Sequence, residues 1–163
     1  MQTLIAHSTL HSNDLGFVLQ HARQDIEGAE AAYRASIAAD RHAQAYFNLG
    51  LLLENERKDV GAAEEAYRAA IEADPGHVRA HFNLGLLLEN ERQDVDGAEK
   101  AYRAAIEADP RYASALCGLG LLLAGERADA DGAEEVFRRA IEADPGCARK
   151  VVESLTVMLV QFT

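Results

Sequence analysis

Tryptophan is missing from this 163-residue chain, aromatic residues reach only 6%, and there are just three prolines and two cysteines. Each shortage excludes something. Cys117 and Cys147 are too few for a disulfide framework and lack the CxxC spacing of a zinc or redox site. A reduced, cytoplasmic setting is therefore expected. Sixteen basic residues stand against 27 acidic ones, and a net charge of -11 without a basic patch would repel a phosphate backbone. Nucleic acid is not an expected partner. No apolar run approaches the roughly 18 to 20 residues that cross a bilayer, and Met1 to Leu10 lack the basic-then-apolar order of a secretion signal. Neither a membrane partner nor a leader is expected. What remains is 48% hydrophobic and 26% charged, rich in Ala, Leu and Glu, a composition that favours packed helices.

The chain repeats itself. "FNLGLLLENER" stands at 47–57 and again at 82–92, and a Leu-Gly pair ends at Gly16, Gly50, Gly85 and Gly120, giving spacings of 34, 35 and 35 residues. A second marker keeps step: "AAYRASIAAD", "EAYRAAIEADP", "KAYRAAIEADP" and "EVFRRAIEADP" place an aromatic at Tyr33, Tyr67, Tyr102 and Phe137. The near-identity of the second and third copies points to recent duplication or to design.

Within the third copy, His81, Leu84, Gly85 and Leu88 fall at i, i+3, i+4 and i+7, one face of a helix A. After "ENERQ", Asp94 is a plausible N-cap, and Ala98, Ala101, Tyr102, Ala105 and Ile106 form the stripe of a helix B that stops at Asp109-Pro110. A glycine inside every helix A costs roughly 1 kcal/mol of helix propensity. Close approach of helix B through the small Ala98 is the expected compensation.

His81, Leu84, Gly85, Leu88, Ala98, Tyr102, Ala105 and Pro110 together resemble the tetratricopeptide repeat, with the Sel-one-like repeats a close cousin. The likeness covers about residues 9–147 and departs from the family pattern in three ways: no Trp, one extra residue in the turn between helices A and B, and no Gly in that turn. Pentatricopeptide RNA-binding repeats share the 35-residue period, but the acidic chain and the "EADP" helix ends argue against them. The resemblance implies an all-α, right-handed solenoid of antiparallel helix pairs: one domain over 1–163, with repeats at about 9–42, 43–77, 78–112 and 113–147. A C-terminal helix over about 148–161 completes it. Each pair cannot bury its apolar face alone, and the next copy supplies the wall. In the first copy Ser12, Asn13 and Asp14 replace "YFN", so its helix A is expected to be polar at its outer part or to start late.

The resemblance also implies a non-catalytic adaptor whose A helices line a groove for a protein or peptide. The groove residues would be Gln44, Phe47, Asn48, Leu51, Glu54 and Asn55 in the second copy and Arg79, Phe82, Asn83, Leu86, Glu89 and Asn90 in the third. Asn48 and Asn83 sit where peptide-capturing members place an amide that bonds an extended backbone through both donor and acceptor. The alternative is a residue carried along by duplication. Phe17, Leu121 and the Phe and Leu residues named above would form an apolar floor, unless they pack helix on helix. In the fourth copy Ser114, Cys117, Gly118, Leu121, Ala124 and Gly125 make the wall smaller. With Arg79 facing Glu54 and Glu89, a carboxylate clamp is incomplete, and a partner with apolar side chains and a basic residue fits better.

The C-terminal stripe Val151, Val152, Leu155, Met158, Leu159 and Phe162 is too apolar to be covered on one side only. It is expected to cap the last repeat or also to dock on another copy, so a homo-oligomer is in view. A self-assembling module, its groove empty or filled by its own C-terminal helix, is the other reading of the whole chain. Chemistry finds no foothold. The i, i+4 pairs His7/His11 and His77/His81 lack further ligands, and no phosphate loop, nucleophile elbow or redox motif is present. The carboxylates of "ENER" and "IEAD" recur with the period, as solvated helix faces and caps do. No metal, cofactor or catalytic residue is expected.

Overall fold

The computed structural model describes the backbone of residues 2–40, 42–149 and 152, and side chains from residue 12 onward within those ranges. Eight α-helices appear among the described residues: α1 (Gln2–Ala22), α2 (Ile26–Ala39), α3 (Ala43–Leu52), α4 (Val60–Ala73), α5 (Val78–Asn90), α6 (Val95–Ala108), α7 (Ala113–Gly125) and α8 (Ala130–Ala143). They alternate as the A and B helices of the four copies. The chain forms two compact units, residues 1–80 and 81–163. In the first, α1 packs on α2, α2 on α3 and α3 on α4; in the second, α6 packs on α7 and α7 on α8.

The helix starts follow from a repeated cap. Oδ1 of Asp25, Asp59, Asp94 and Asp129 accepts the backbone N–H of Gly28, Ala62, Gly97 and Gly132 at 2.9–3.0 Å. Each bond satisfies one of the donors that a helix N-terminus leaves open. At the other end of helix B, the Asp of "EADP" turns extended, and the side chains of Asp74, Asp109 and Asp144 accept the N–H two residues on. These Asx turns redirect the chain into the next helix A. At the junction of the second and third copies His77 helps, its Nδ1 accepting from Ala80 N–H at 3.2 Å.

The extra residue of the A-to-B turn has a definite place. Gln24, Lys58, Gln93 and Ala128 adopt left-handed backbone with φ between 51° and 56°, and the following Asp N–H reaches back to the carbonyl of Leu19, Leu53, Leu88 or Leu123 at 2.8–2.9 Å. In the second copy the helix widens through a π-turn, Leu53–Arg57, before closing. A non-glycine residue in this region costs about 1 kcal/mol, and the long-reaching Asp bond together with the Asp cap holds it there.

Of the two alternatives for the first helix A, a late start is excluded: α1 runs from Gln2, and no Gly or Pro interrupts residues 2–14. The close approach of helix B at the glycine is seen, and an aromatic ring comes nearest. A Cβ on Gly16, Gly50, Gly85 or Gly120 would lie 2.4–2.6 Å from the ring of Tyr33, Tyr67, Tyr102 or Phe137. The aromatic of helix B therefore lies directly over the glycine of its own helix A. Ala98, on the same helix B as Tyr102, is fully buried. The C-terminal stripe falls outside the described residues except for Val152, which is helical and exposed.

Replacing Gly85 with Ala would gain about 1 kcal/mol of helix propensity and force the Tyr102 ring outward at about 1–3 kcal/mol. We expect Gly85→Ala to lose roughly 1 kcal/mol net in urea unfolding. Gly132→Ala should be neutral or slightly stabilising, because Ala62 already occupies the equivalent cap position with its bond intact. Equal effects at the two glycines would contradict this account.

Candidate functional site

The three helix-B tyrosines are fully buried, and a buried phenol needs an acceptor. Each finds one thirteen residues earlier, at the end of its own helix A. Tyr33 donates to Gln20 Oε1 at 3.1 Å, Tyr67 to Glu54 Oε2 at 2.5 Å and Tyr102 to Glu89 Oε2 at 2.5 Å. In the fourth copy both partners are gone together: Phe137 replaces the tyrosine and Ala124 the acceptor. Glu54 and Glu89 are thus structural acceptors, not merely members of a solvated "ENER" face. Burial pushes the Tyr33 hydroxyl up to about 12, and Tyr102 moves the same way through burial and then through the hydrogen bond and negative charge of Glu89.

Around the first of these tyrosines the unit of residues 1–80 opens a cleft of about 290 Å³. From α1 come Phe17, Gln20 and His21; from α3 and the turn after it, Phe47, Asn48, Leu51, Asn55 and Glu56; from the start of α5, Arg79. Six of the sequence-derived groove residues therefore meet here: Gln44 behind the wall, and Phe47, Asn48, Leu51, Asn55 and Arg79 on it. Phe47 itself is almost wholly buried, wedged between Tyr67 and His77 with ring centroids at 6.0 and 5.0 Å. The Arg79 guanidinium covers its face at 4.8 Å. Phe17 instead stands half exposed, stacked on His21 at 4.2 Å.

A polar relay runs along one wall. Arg79 Nη2 donates to Gln44 Oε1 at 2.9 Å, Gln44 Nε2 to Asn48 Oδ1 at 2.8 Å, and Asn48 Nδ2 to the buried Asn13 Oδ1 at 3.0 Å. The relay fixes the Asn48 amide and leaves it one further N–H and one further lone pair. Asn55 donates to the Leu51 carbonyl at 2.9 Å, and Leu51 is partly exposed in the cleft. The periodic pattern did not single out Gln20, His21 and Glu56 as lining residues. They lie in the last turns of helix A and just beyond; the copies diverge at Gln20 and His21, while Glu56 recurs as Glu91 and Glu126.

The remaining candidates belong to the unit of residues 81–163. Phe82 packs on Tyr102 at 6.0 Å and edge-on to Tyr112 at 5.6 Å, while Asn83 and Leu86 are partly exposed. Glu89 and Asn90 border a separate hollow with Gln93, Val95 and Glu126 at the A-to-B turns. On α7, Cys117 is buried and Gly118 lies against Tyr102: a Cβ there would come within 3.1 Å of the ring. The smaller wall lets the aromatic in. Among the described residues, no three His, Cys, Asp or Glu side chains converge as metal ligands do. No helix among them is long and apolar enough to cross a membrane.

Residues 22–76, 56–110 and 91–147 each match the family described as tetratricopeptide repeat. The chain belongs to that family. Tetratricopeptide repeats are generally a non-catalytic, protein-interaction fold, and the helix pairs described above are its solenoid units. Solved structures agree on the fold. MamA is 24% identical with a TM-score of 0.72, over 86% of this chain and 81% of its own. YrrB, titled a TPR protein with an unusual peptide-binding site, is 24% identical with a TM-score of 0.64, over 80% of this chain and 66% of its own. The Pseudomonas aeruginosa protein pilF is 21% identical with a TM-score of 0.77, over 94% and 70%. At these identities the likeness speaks for the fold alone. No curated protein sequence matches the chain significantly.

The tyrosine shifts carry a sign. A hydroxyl whose folded pKa is raised contributes stability that is fully present below the unfolded value near 10, and loses it as pH climbs through the folded value. For Tyr33 that window runs from about 10 to about 12. Thermal melts across this range should show a falling midpoint, and Tyr33→Phe should flatten the fall. A variant as alkali-sensitive as the parent would refute it.

Proposed function

We propose that this repeat protein is an interaction scaffold whose cleft over Phe17, Asn48, Leu51 and Arg79 takes an extended segment of another protein. The observation that carries the reading is the convergence of an exposed aromatic, a partly exposed leucine and a pre-oriented amide in one open concavity. Apolar surface supplies affinity and the few fixed polar groups supply register. Asn48 is suited to bond a peptide backbone, since its relay leaves a donor and an acceptor while holding the amide still. An apolar partner side chain fits between Phe17 and Leu51.

The charge preference needs refinement. A basic partner residue directed to Glu54 or Glu89 would compete with the Tyr67 and Tyr102 hydroxyls. The cation at the cleft itself is Arg79, whose face is already on Phe47 and one of whose nitrogens is on Gln44. A partner carbonyl can therefore reach Arg79, while Glu56 on the same lining stands ready for a partner N–H or cation.

Peptides selected on the intact chain from a displayed random library test this reading. Phe17→Ala and Asn48→Ala should each weaken the selected peptides by about tenfold, the scale of one good contact of 1–1.5 kcal/mol; Phe17→Ala should leave the melting temperature little changed, whereas Asn48→Ala, which strips the buried Asn13 Oδ1 of its donor, should lower it while the chain stays folded. Selected peptides that bind both variants as well as the parent would move the site elsewhere.

A further inference from the structure

Cys117 and Cys147 take no part in the cleft. Both are thiols, and both are buried, Cys117 at 9% exposure and Cys147 at 4%. Their places in the repeat show what they replace. One copy earlier, the same two positions hold Phe82 and Tyr112, and one copy before that, Phe47 and His77. Each of those pairs is in contact, with ring centroids at 5.6 and 5.0 Å. A residue of one helix A thus meets the residue that leads into the next, and in the fourth copy both members of the meeting pair are cysteines.

Side chains shorter than rings must also be able to meet. Cys147 Sγ lies 3.9 Å from the carbonyl oxygen of Ala113. Ala113 opens α7, and its carbonyl is the helix acceptor for the N–H of Cys117, four residues on. The Cα–Cβ bond of a helical residue tilts toward the N-terminus, which carries the Cys117 sulfur over the turn that Cys147 already touches. The fourth copy also lacks a tie that the middle copies have, since Phe137 and Ala124 stand where Tyr67 and Tyr102 bond Glu54 and Glu89.

We infer that Cys117 and Cys147 are an oxidation site, at which a peroxide closes a disulfide within one chain and fastens the segment after α8 to α7. Hydrogen peroxide is hardly larger than water and needs little opening to reach a sulfur. The thiolate of Cys117, the more exposed of the two, attacks it: an S–O bond forms, the O–O bond breaks, and the departing hydroxide takes up the thiol proton as water. Cys147 then attacks that sulfur, so that the S–S bond forms, the S–O bond breaks and a second water leaves with the Cys147 proton. Two thiols and one peroxide give one disulfide and two waters. In a reducing setting the pair stays open. Once closed, the bridge restricts the unfolded chain between positions 117 and 147 and so stabilises the folded one.

Treating the full chain with hydrogen peroxide and mapping its peptides without reduction tests the inference. A peptide joining Cys117 to Cys147, lighter than its two parts by two hydrogens, should appear in the monomer, and both thiols should disappear together. The oxidised chain should melt about 5 °C or more above the reduced one, and a dithiol reductant should undo the shift. Cys117→Ser and Cys147→Ser should each abolish the joined peptide and the shift, the remaining thiol gaining oxygen instead. If a serine variant proves unfolded by circular dichroism, the alanine variant at the same position replaces it, while the peptide map of the parent needs no substitution. Thiols that resist peroxide or oxidise separately, a link found only between two chains, or a bridge that leaves the melt unchanged or lower would each overturn the inference.

Discussion

In every copy an aromatic ring of helix B lies on the bare Cα of a glycine in helix A, and the rest of the architecture depends on that contact. It sets how closely the two helices approach, and so how the leucines on either side of the glycine are presented. It also explains why helix A tolerates a residue that weakens helices. Once the ring is inside, its hydroxyl must be satisfied. The acceptors at Gln20, Glu54 and Glu89 follow from the ring, and Phe137 with Ala124 shows that neither partner is kept without the other. The buried hydroxyl and its acceptor therefore behave as one structural element.

This arrangement decides which side chains are left for a partner. Phe47 is engaged by Tyr67, His77 and Arg79, and Glu54 by Tyr67, so two side chains that a helical wheel directs outward are held by the fold. Asn48, Leu51 and Phe17 remain. Ion pairs do little of the holding. Arg57 on Glu30 at 2.9 Å, and Arg127 on Glu99 and Asp96, join the A-to-B turns of the second and fourth copies to the preceding helix B. They are solvent-exposed pairs, each contributing at most about 1 kcal/mol. Arg127 nevertheless holds the Asp96 carboxyl below its usual range through a hydrogen bond and its charge.

Much of the fold was legible because the sequence states it four times: the period comes from comparing the copies, and the order of helices A and B, the Asp94 cap and the stop at Asp109-Pro110 can then be read within one of them. What could not be read were relations between helices. The spacing of thirteen from Glu54 to Tyr67 is present in the letters, but it joins residues on two different helices, and a single-helix periodicity cannot reveal it. The left-handed turns at Gln24, Lys58, Gln93 and Ala128 carry no glycine to announce them. The candidate site was legible as a register of positions and not as a surface, since the outward face of helix A carries Phe47, Phe82 and Phe17 together and its pattern cannot tell the buried ring from the exposed one.

Repetition builds the scaffold, and departures from repetition give it something to recognise. The second and third copies share "FNLGLLLENER", yet no groove made only of those letters could prefer one partner over another along its length. The differences lie at Gln44 against Arg79, which are hydrogen-bonded to each other, and at Phe17 with His21, which fall where the two middle copies carry Leu and Asn. Cys117 and Gly118 stand where Phe and Asn stand in the middle copies. The cleft of the first unit is assembled at such positions, Arg79 from one copy meeting Gln44 and Asn48 of the one before. Specificity in this chain is therefore a property of neighbouring unlike copies, because a side chain that changes in one copy alters the wall offered by the next.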